Sequence, residues 1–210
     1  MAYLFELKIS NGAFNQTQNV AGKFGSFAGT TFTGAVCHAG QLVVPHSLIP
    51  SEGYEGLTDY QGNSFSLLNG NTHYMVNAAN GTSGGAYGDH TGIYACNSYD
   101  VNKATSGSNV WNVGANTRGL DLPANERGDF SEIIIGESYA FANSNFSTLP
   151  ADSTYVYATI SNGFLVAATS APAAGSGVYF EISPYTYEDT EGSSAAGTVY
   201  VLKAVRTAEA

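Results

Sequence analysis

Charge is scarce in this chain. Only 24 of its 210 residues are Asp, Glu, Lys or Arg, or 11%, where an ordinary globular domain carries roughly 25%. Seven are basic and 17 acidic, for a formal net charge of -10. The seven are scattered, which excludes nucleic acid as an expected partner, because that binding rests on Lys and Arg neutralising phosphates. Long apolar runs are also missing. Nothing approaches the ~18 residues that a membrane-crossing helix needs. Helical periodicity is absent too, since Gly, Asn, Ser or Pro interrupts almost every window in which apolar residues at i, i+3, i+4 and i+7 would be sought. Cysteine is limited to Cys37 and Cys96, 59 residues apart. The first residues, Met1-Ala2-Tyr3-Leu4-Phe5-Glu6-Leu7-Lys8, lack the basic and apolar regions of an export signal. The expectation is therefore a chain made in a cytoplasm, with both thiols free and buried; a disulfide is the alternative.

What the chain does have is neutral polarity. Asn, Ser, Thr and Gly supply 81 residues, and there are 14 Tyr and 11 Phe. At 43% hydrophobic the sequence is too apolar for a disordered tail. Short runs rich in Val, Ile, Tyr, Phe and Thr suit pleated sheet. Strands are expected at 3–10, 34–38, 41–45, 72–77, 92–98, 109–114, 130–135, 154–161, 163–169, 177–183 and 197–205. Their spacing predicts an all-β fold, with short antiparallel strands in a sandwich or barrel-like architecture, long ordered loops and little helix. Asn162-Gly163, between two β-rich runs, predicts a type I′ hairpin. The last four strands read as a meander, and Tyr185–Ala196 as an exposed acidic loop. Residues 46–130 are loop-heavy. Two regions are expected: a loop-rich β domain over 1–148 and a C-terminal β meander over 149–210, packed together as one compact unit.

Chemistry is thinly signalled. Cys37, His38, His46, His73, His90 and Cys96 lack structural-zinc spacing, and adjacent Cys37 and His38 would point to opposite faces of a strand. Calcium suits Gly/Asn-rich loops better than zinc does, but no EF-hand pattern is present. No cofactor is expected. A nucleophilic site built from Cys37 or Cys96 with His90 and Asp89 lacks the glycine-flanked elbow such sites use. Carboxylates at Asp121, at Glu126, Asp129 and Glu132, and at Glu188, Asp189 and Glu191 raise the possibility of glycoside cleavage, in no distinctive motif. The expectation is that the chain is not an enzyme. Tyr54, Tyr60, Tyr74, Tyr87, Tyr94 and Tyr99 offer either sugar-stacking surface or core packing.

The segment 116–130 concentrates Arg118, Leu120, Leu122 and Arg127 beside three acids. It reads either as a docking loop whose apolar and guanidinium groups engage a partner, or as a self-contained turn with the arginines paired to Asp121, Glu126 or Asp129. The strand entered directly from Met1, the 116–130 segment continuing through Gly136–Phe141 and Asn145-Phe146, and the Thr154–Val205 strands with their Ile160-Ser161-Asn162-Gly163-Phe164 turn together resemble the auxiliary head proteins of tailed bacteriophages, the decoration or cement proteins. In that resemblance 116–146 corresponds to a linker. The resemblance implies a non-enzymatic virion protein on the capsid exterior, bound to the major capsid protein and self-associating, often as a trimer, with no membrane or nucleic-acid partner. Few lysines and many tyrosines suit a surface that is mostly interface. The alternative is a carbohydrate- or receptor-binding β module of a virion or bacterial surface.

Overall fold

The structure is a computed structural model that describes residues 5–9, 19–48, 72–77, 90–97, 105–106, 109–110, 121–189 and 197–207. It is all-β, with a three-residue 3-10 turn at Asn143–Asn145. The strands are β1 (Phe5–Ile9), β2 (Asn19–Ala28), β3 (Thr31–Gly34), β4 (Leu42–Leu48), β5 (Thr72–Asn77), β6 (His90–Cys96), the two-residue pair β7 (Thr105–Ser106) and β8 (Asn109–Val110), β9 (Gly128–Ile134), β10 (Ser138–Ala142), β11 (Phe146–Thr148), β12 (Tyr157–Ser161), β13 (Phe164–Ala168), β14 (Val178–Asp189) and β15 (Gly197–Arg206).

Two sheets organise all of these strands except the separate β7–β8 pair, and barrel and sandwich are both present. One sheet runs β3-β2-β5-β4-β6-β9, and a further β2–β9 pairing closes five of its strands into a ring. The ten-residue β2 makes the closure possible. It pairs with β9 over Asn19–Gly22, with β5 over Ala21–Phe24 and with β3 over Gly25–Ala28. A five-stranded barrel has no room for a lumen and fills with side chains. Val20, Phe24, Val43, Met75, Tyr94, Cys96 and Phe130 from the strands meet Cys37 and Leu122 from non-strand segments in one buried cluster. The second sheet runs β1-β10-β15-β14-β12-β13-β11. Its inward residues, among them Tyr139, Phe141, Ile160, Leu165, Phe180 and Leu202, pack against Leu42, Ile93, Ala95 and Ile133 on the barrel wall. Alternation assigns the faces: in β6, Ile93 and Ala95 join the core between the sheets while Tyr94 and Cys96 face the barrel interior.

Several expectations need correction. The Thr154–Val205 strands are not a meander, because β14 pairs with β12 rather than β13. The free edge of β13 is taken in parallel by β11, and the connection over 169–177 is long enough to step across. Strand pairing is antiparallel except for β11–β13 and β2–β5. Far from a linker, 138–142 is a fully buried strand between β1 and β15. The strand expected at 34–38 falls at Thr31–Gly34 instead, leaving Cys37 in an isolated bridge. The loop expected from Tyr185 begins later, since β14 runs to Asp189, opposite Gly197. The seven-stranded sheet is built across the 148/149 boundary, with β1, β10 and β11 on one side of it and β12–β15 on the other. Among the described residues no helix is long and apolar enough to cross a membrane.

Candidate functional site

The 116–130 segment divides. Arg118 and Leu120 lie outside the described residues. Leu122 is 1% exposed and plugs the barrel. Its N–H donates to the Cys37 carbonyl at 2.8 Å, and the Cys37 N–H donates to the Leu122 carbonyl at 3.0 Å. A Cβ at Gly128 would stand 2.7 Å from the Leu122 side chain, so the absence of one there is what lets the leucine seat. This corrects the docking expectation for Leu122, whose contacts are spent on the chain's own core. Residues 123–126 form a turn, with the Glu126 N–H donating to the Pro123 carbonyl at 3.2 Å and Asn125 at φ 66°. Arg127 is exposed beyond it. Asp121 faces His38, with Oδ2 2.9 Å from Nδ1.

The other groups suited to chemistry are committed to the scaffold. His90 Nδ1 lies 2.7 Å from Oε2 of the buried Glu132, whose Oε1 accepts the Gly92 N–H at 3.1 Å. Arg206 donates through Nη2 to the His90 carbonyl at 2.7 Å. The Tyr139 hydroxyl accepts the Ile134 N–H at 2.8 Å and donates to buried Glu137 at 2.9 Å. Burial pushes the Tyr139 phenol far above its ordinary range, and the nearby Glu137 and Glu132 carboxylates add to the effect against the opposing Ile134 bond. His90 and Cys96 occupy opposite ends of β6, about 20 Å apart at ~3.3 Å per residue, so a cysteine–histidine nucleophilic pair does not assemble there. Asp89 lies outside the described residues. Asp129 and Glu132 point to opposite faces of β9, and Glu126 sits in the exposed turn. Exposed Glu188 accepts the Thr198 hydroxyl at 2.7 Å. Among the described residues no three of His, Cys, Asp or Glu converge on a metal position. Of the six tyrosines singled out from sequence, Tyr94 packs inside the barrel, Tyr74 has only its backbone described, and the other four lie outside the described residues.

The site that sequence reasoning missed is an open pocket of about 460 Å³ on the seven-stranded sheet. The β14–β15 register breaks between Ile182 and Thr186. Pro184, at that break, has no N–H to give a ladder and so belongs at an irregularity. The opposite rim is the 149–156 loop. There the Asp152 carboxylate accepts both the Thr154 N–H at 2.8 Å and its hydroxyl at 2.5 Å, which hold the carboxyl below its usual value. The Ile182 N–H donates to the Val156 carbonyl at 2.8 Å and fixes the loop against β14.

Tyr155, Val156, Ile182 and Tyr200 form the apolar wall, and Ser153, Ser183 and Thr186 supply hydroxyls. Tyr200 is held edge-on to Phe146, with ring centroids 5.2 Å apart. Burial, then the charge of Glu188, raises its phenol pKa. Val156 is 40% exposed; Leu149 and Tyr185, sequence neighbours of the lining residues Pro150 and Pro184, are 45% and 79% exposed. The one sequence signal was the proline inside Ile182-Ser183-Pro184-Tyr185-Thr186-Tyr187. The arrangement offers apolar and aromatic contact with a few hydrogen bonds, the chemistry of binding.

No family model matches the chain, and no curated protein or solved structure is significantly similar to it.

Proposed function

We propose that this chain is a non-enzymatic structural protein of a phage virion that docks on the outer capsid surface, against the major capsid protein, and stabilises the shell. One observation carries the reading. The histidines, buried carboxylates and thiols described above are engaged in holding the fold, whereas the open Tyr155–Tyr200 pocket and its exposed neighbours Leu149, Val156 and Tyr185 face outward. Exposed aromatic and aliphatic anchors beside a concavity are what a docking protein presents. A lysine-poor surface fits the same role, and the net charge of -10 keeps decorated particles apart. In this reading Arg118 and Arg127 also contact the partner, and the chain self-associates as a trimer.

The test is binding to purified capsids that lack the chain. Wild-type protein should co-sediment with the particles and raise their resistance to heat. Val156→Asp should weaken co-sedimentation at least tenfold, about 1.4 kcal/mol, while leaving the circular dichroism spectrum unchanged. Arg118→Ala with Arg127→Ala should weaken it less. Absence of the wild-type chain from purified particles sinks the proposal.

A second reading is favoured by two tyrosines and three hydroxyls sharing one pocket, an arrangement that suits the apolar face and hydroxyl edge of a sugar. Binding on a glycan array that Tyr155→Ala abolishes would favour it over capsid docking.

A further inference from the structure

We propose that Cys37 and Cys96 form a redox modification site, closing into an intramolecular disulfide that staples the barrel's plug to its wall when the folded chain meets a low-molecular-weight disulfide such as oxidised glutathione. The two thiols lie 59 residues apart in the chain, yet the fold brings them together inside the barrel. Both are free and 0% exposed, both belong to the one buried cluster, and the segment leading on from Cys37 bonds twice to Cys96, through Gly40 and Gln41. Both backbones are fixed by hydrogen bonds. Cys37 is held by its paired bonds to Leu122, and Cys96 by the Gly40 N–H donating to its carbonyl at 2.7 Å and by its own N–H donating to the Gln41 carbonyl at 3.0 Å. Each thiol proton already has an acceptor, the His38 carbonyl 3.9 Å from Cys37 and the Asn97 carbonyl 3.3 Å from Cys96. The pair therefore rests as a dithiol with both side chains in one buried cluster, and the chain contains no third cysteine to compete.

Burial, reinforced by Cys96 and by the Asp121 charge, pushes the Cys37 thiol well above its ordinary range. The closed barrel thus keeps the pair unreactive, and reaction passes through opening of the plug. One thiol then loses its proton to solvent, and the thiolate attacks a sulfur of the reagent. A protein–glutathione mixed disulfide forms and one glutathione thiolate leaves. The second cysteine, deprotonated in turn, attacks the protein sulfur of that mixed disulfide and expels the second glutathione thiolate; both leaving thiolates take up protons from water. The protein dithiol is oxidised by two electrons and one glutathione disulfide is reduced to two glutathione molecules. A glutathione adduct is too large for the filled barrel, so reclosure of the plug favours the intramolecular product. The outcome is a cross-link around β4, β5 and most of β6, formed only after folding.

The experiment uses the full chain equilibrated with graded ratios of reduced to oxidised glutathione, folded in buffer and unfolded in urea. Samples are acid-quenched, alkylated and weighed intact by mass spectrometry. In the folded chain the constant for disulfide formation should exceed that of the unfolded chain by roughly tenfold or more. The product should be monomeric, lighter by two hydrogens and free of glutathione, and should unfold at a higher urea concentration than the dithiol form. Cys96→Ser should yield none of it. Equal or reversed constants, a disulfide-linked dimer, a persistent mixed disulfide, or an oxidised form that unfolds at lower urea would each overturn the proposal. Capsid docking plays no part in any of these readouts.

Discussion

At the scale of single residues, two neighbours in one short segment have opposite fates. Leu122 is sealed inside the barrel and Arg127 lies on the surface five residues later. Leu122→Ala would open a void in a close-packed interior and should cost about 2–5 kcal/mol, seen as a lowered urea midpoint. Arg127→Ala should change the unfolding free energy read from the same titration by no more than about 0.5 kcal/mol. If the arginine variant instead unfolds as readily as the leucine variant, the exposed side of the turn is structural and its docking role fails. Sequence alone supplied both residues without separating them, because Leu-Asp-Leu-Pro reads identically as a surface anchor or a core plug. The deciding partner, Cys37, is 85 positions away along the chain.

Elements were legible where local chemistry and tertiary context agreed. The Asn162-Gly163 hairpin is the clearest case, since both residues adopt positive φ, 48° and 80°, as a type I′ turn demands. β5 also falls where its Val- and Tyr-containing run predicts. β2 was missed because Gly22 and Gly25 read as punctuation, yet at Gly25 a side chain would collide with the Thr33 carbonyl of β3, so the glycine is a condition of that pairing. β10 was missed because Ser-Tyr-Ala-Phe-Ala has small residues on its outer face, where Ala140 and Ala142 are buried with Val199. The pocket was missed because a register break in β14 leaves no local signature beyond Pro184. β10 also carries a testable bond pattern. Tyr139→Phe removes the acceptor of the Ile134 N–H and a donor to Glu137, so it should destabilise by about 1–3 kcal/mol. A melting temperature unchanged from wild type would show that the phenol is dispensable.

For the whole molecule, the buried acids set the response to alkali. Cys37, Tyr94 and Tyr139 all have folded-state pKa values raised, chiefly by burial. A raised value means that the folded chain holds its proton more tightly than the unfolded chain does. The stability these groups contribute is thus complete below the unfolded values, about 8.5 for Cys and 10 for Tyr. It falls as pH rises past them towards the folded values. Urea midpoints should be level from pH 7 to about 8.5 and decline steeply by about pH 10.5, with a shallower decline in Tyr139→Phe. A flat profile to that pH would contradict the burial of these groups.

The order of the seven-stranded sheet has a mechanical consequence. β1 and β15 flank β10 and both run antiparallel to it, so they are parallel to each other. Tension entering the chain ahead of Phe5 and leaving after Arg206 pulls these two strands in opposite directions along their own axes. The hydrogen bonds on either side of β10 then share the load in shear and yield together, rather than peeling apart one at a time.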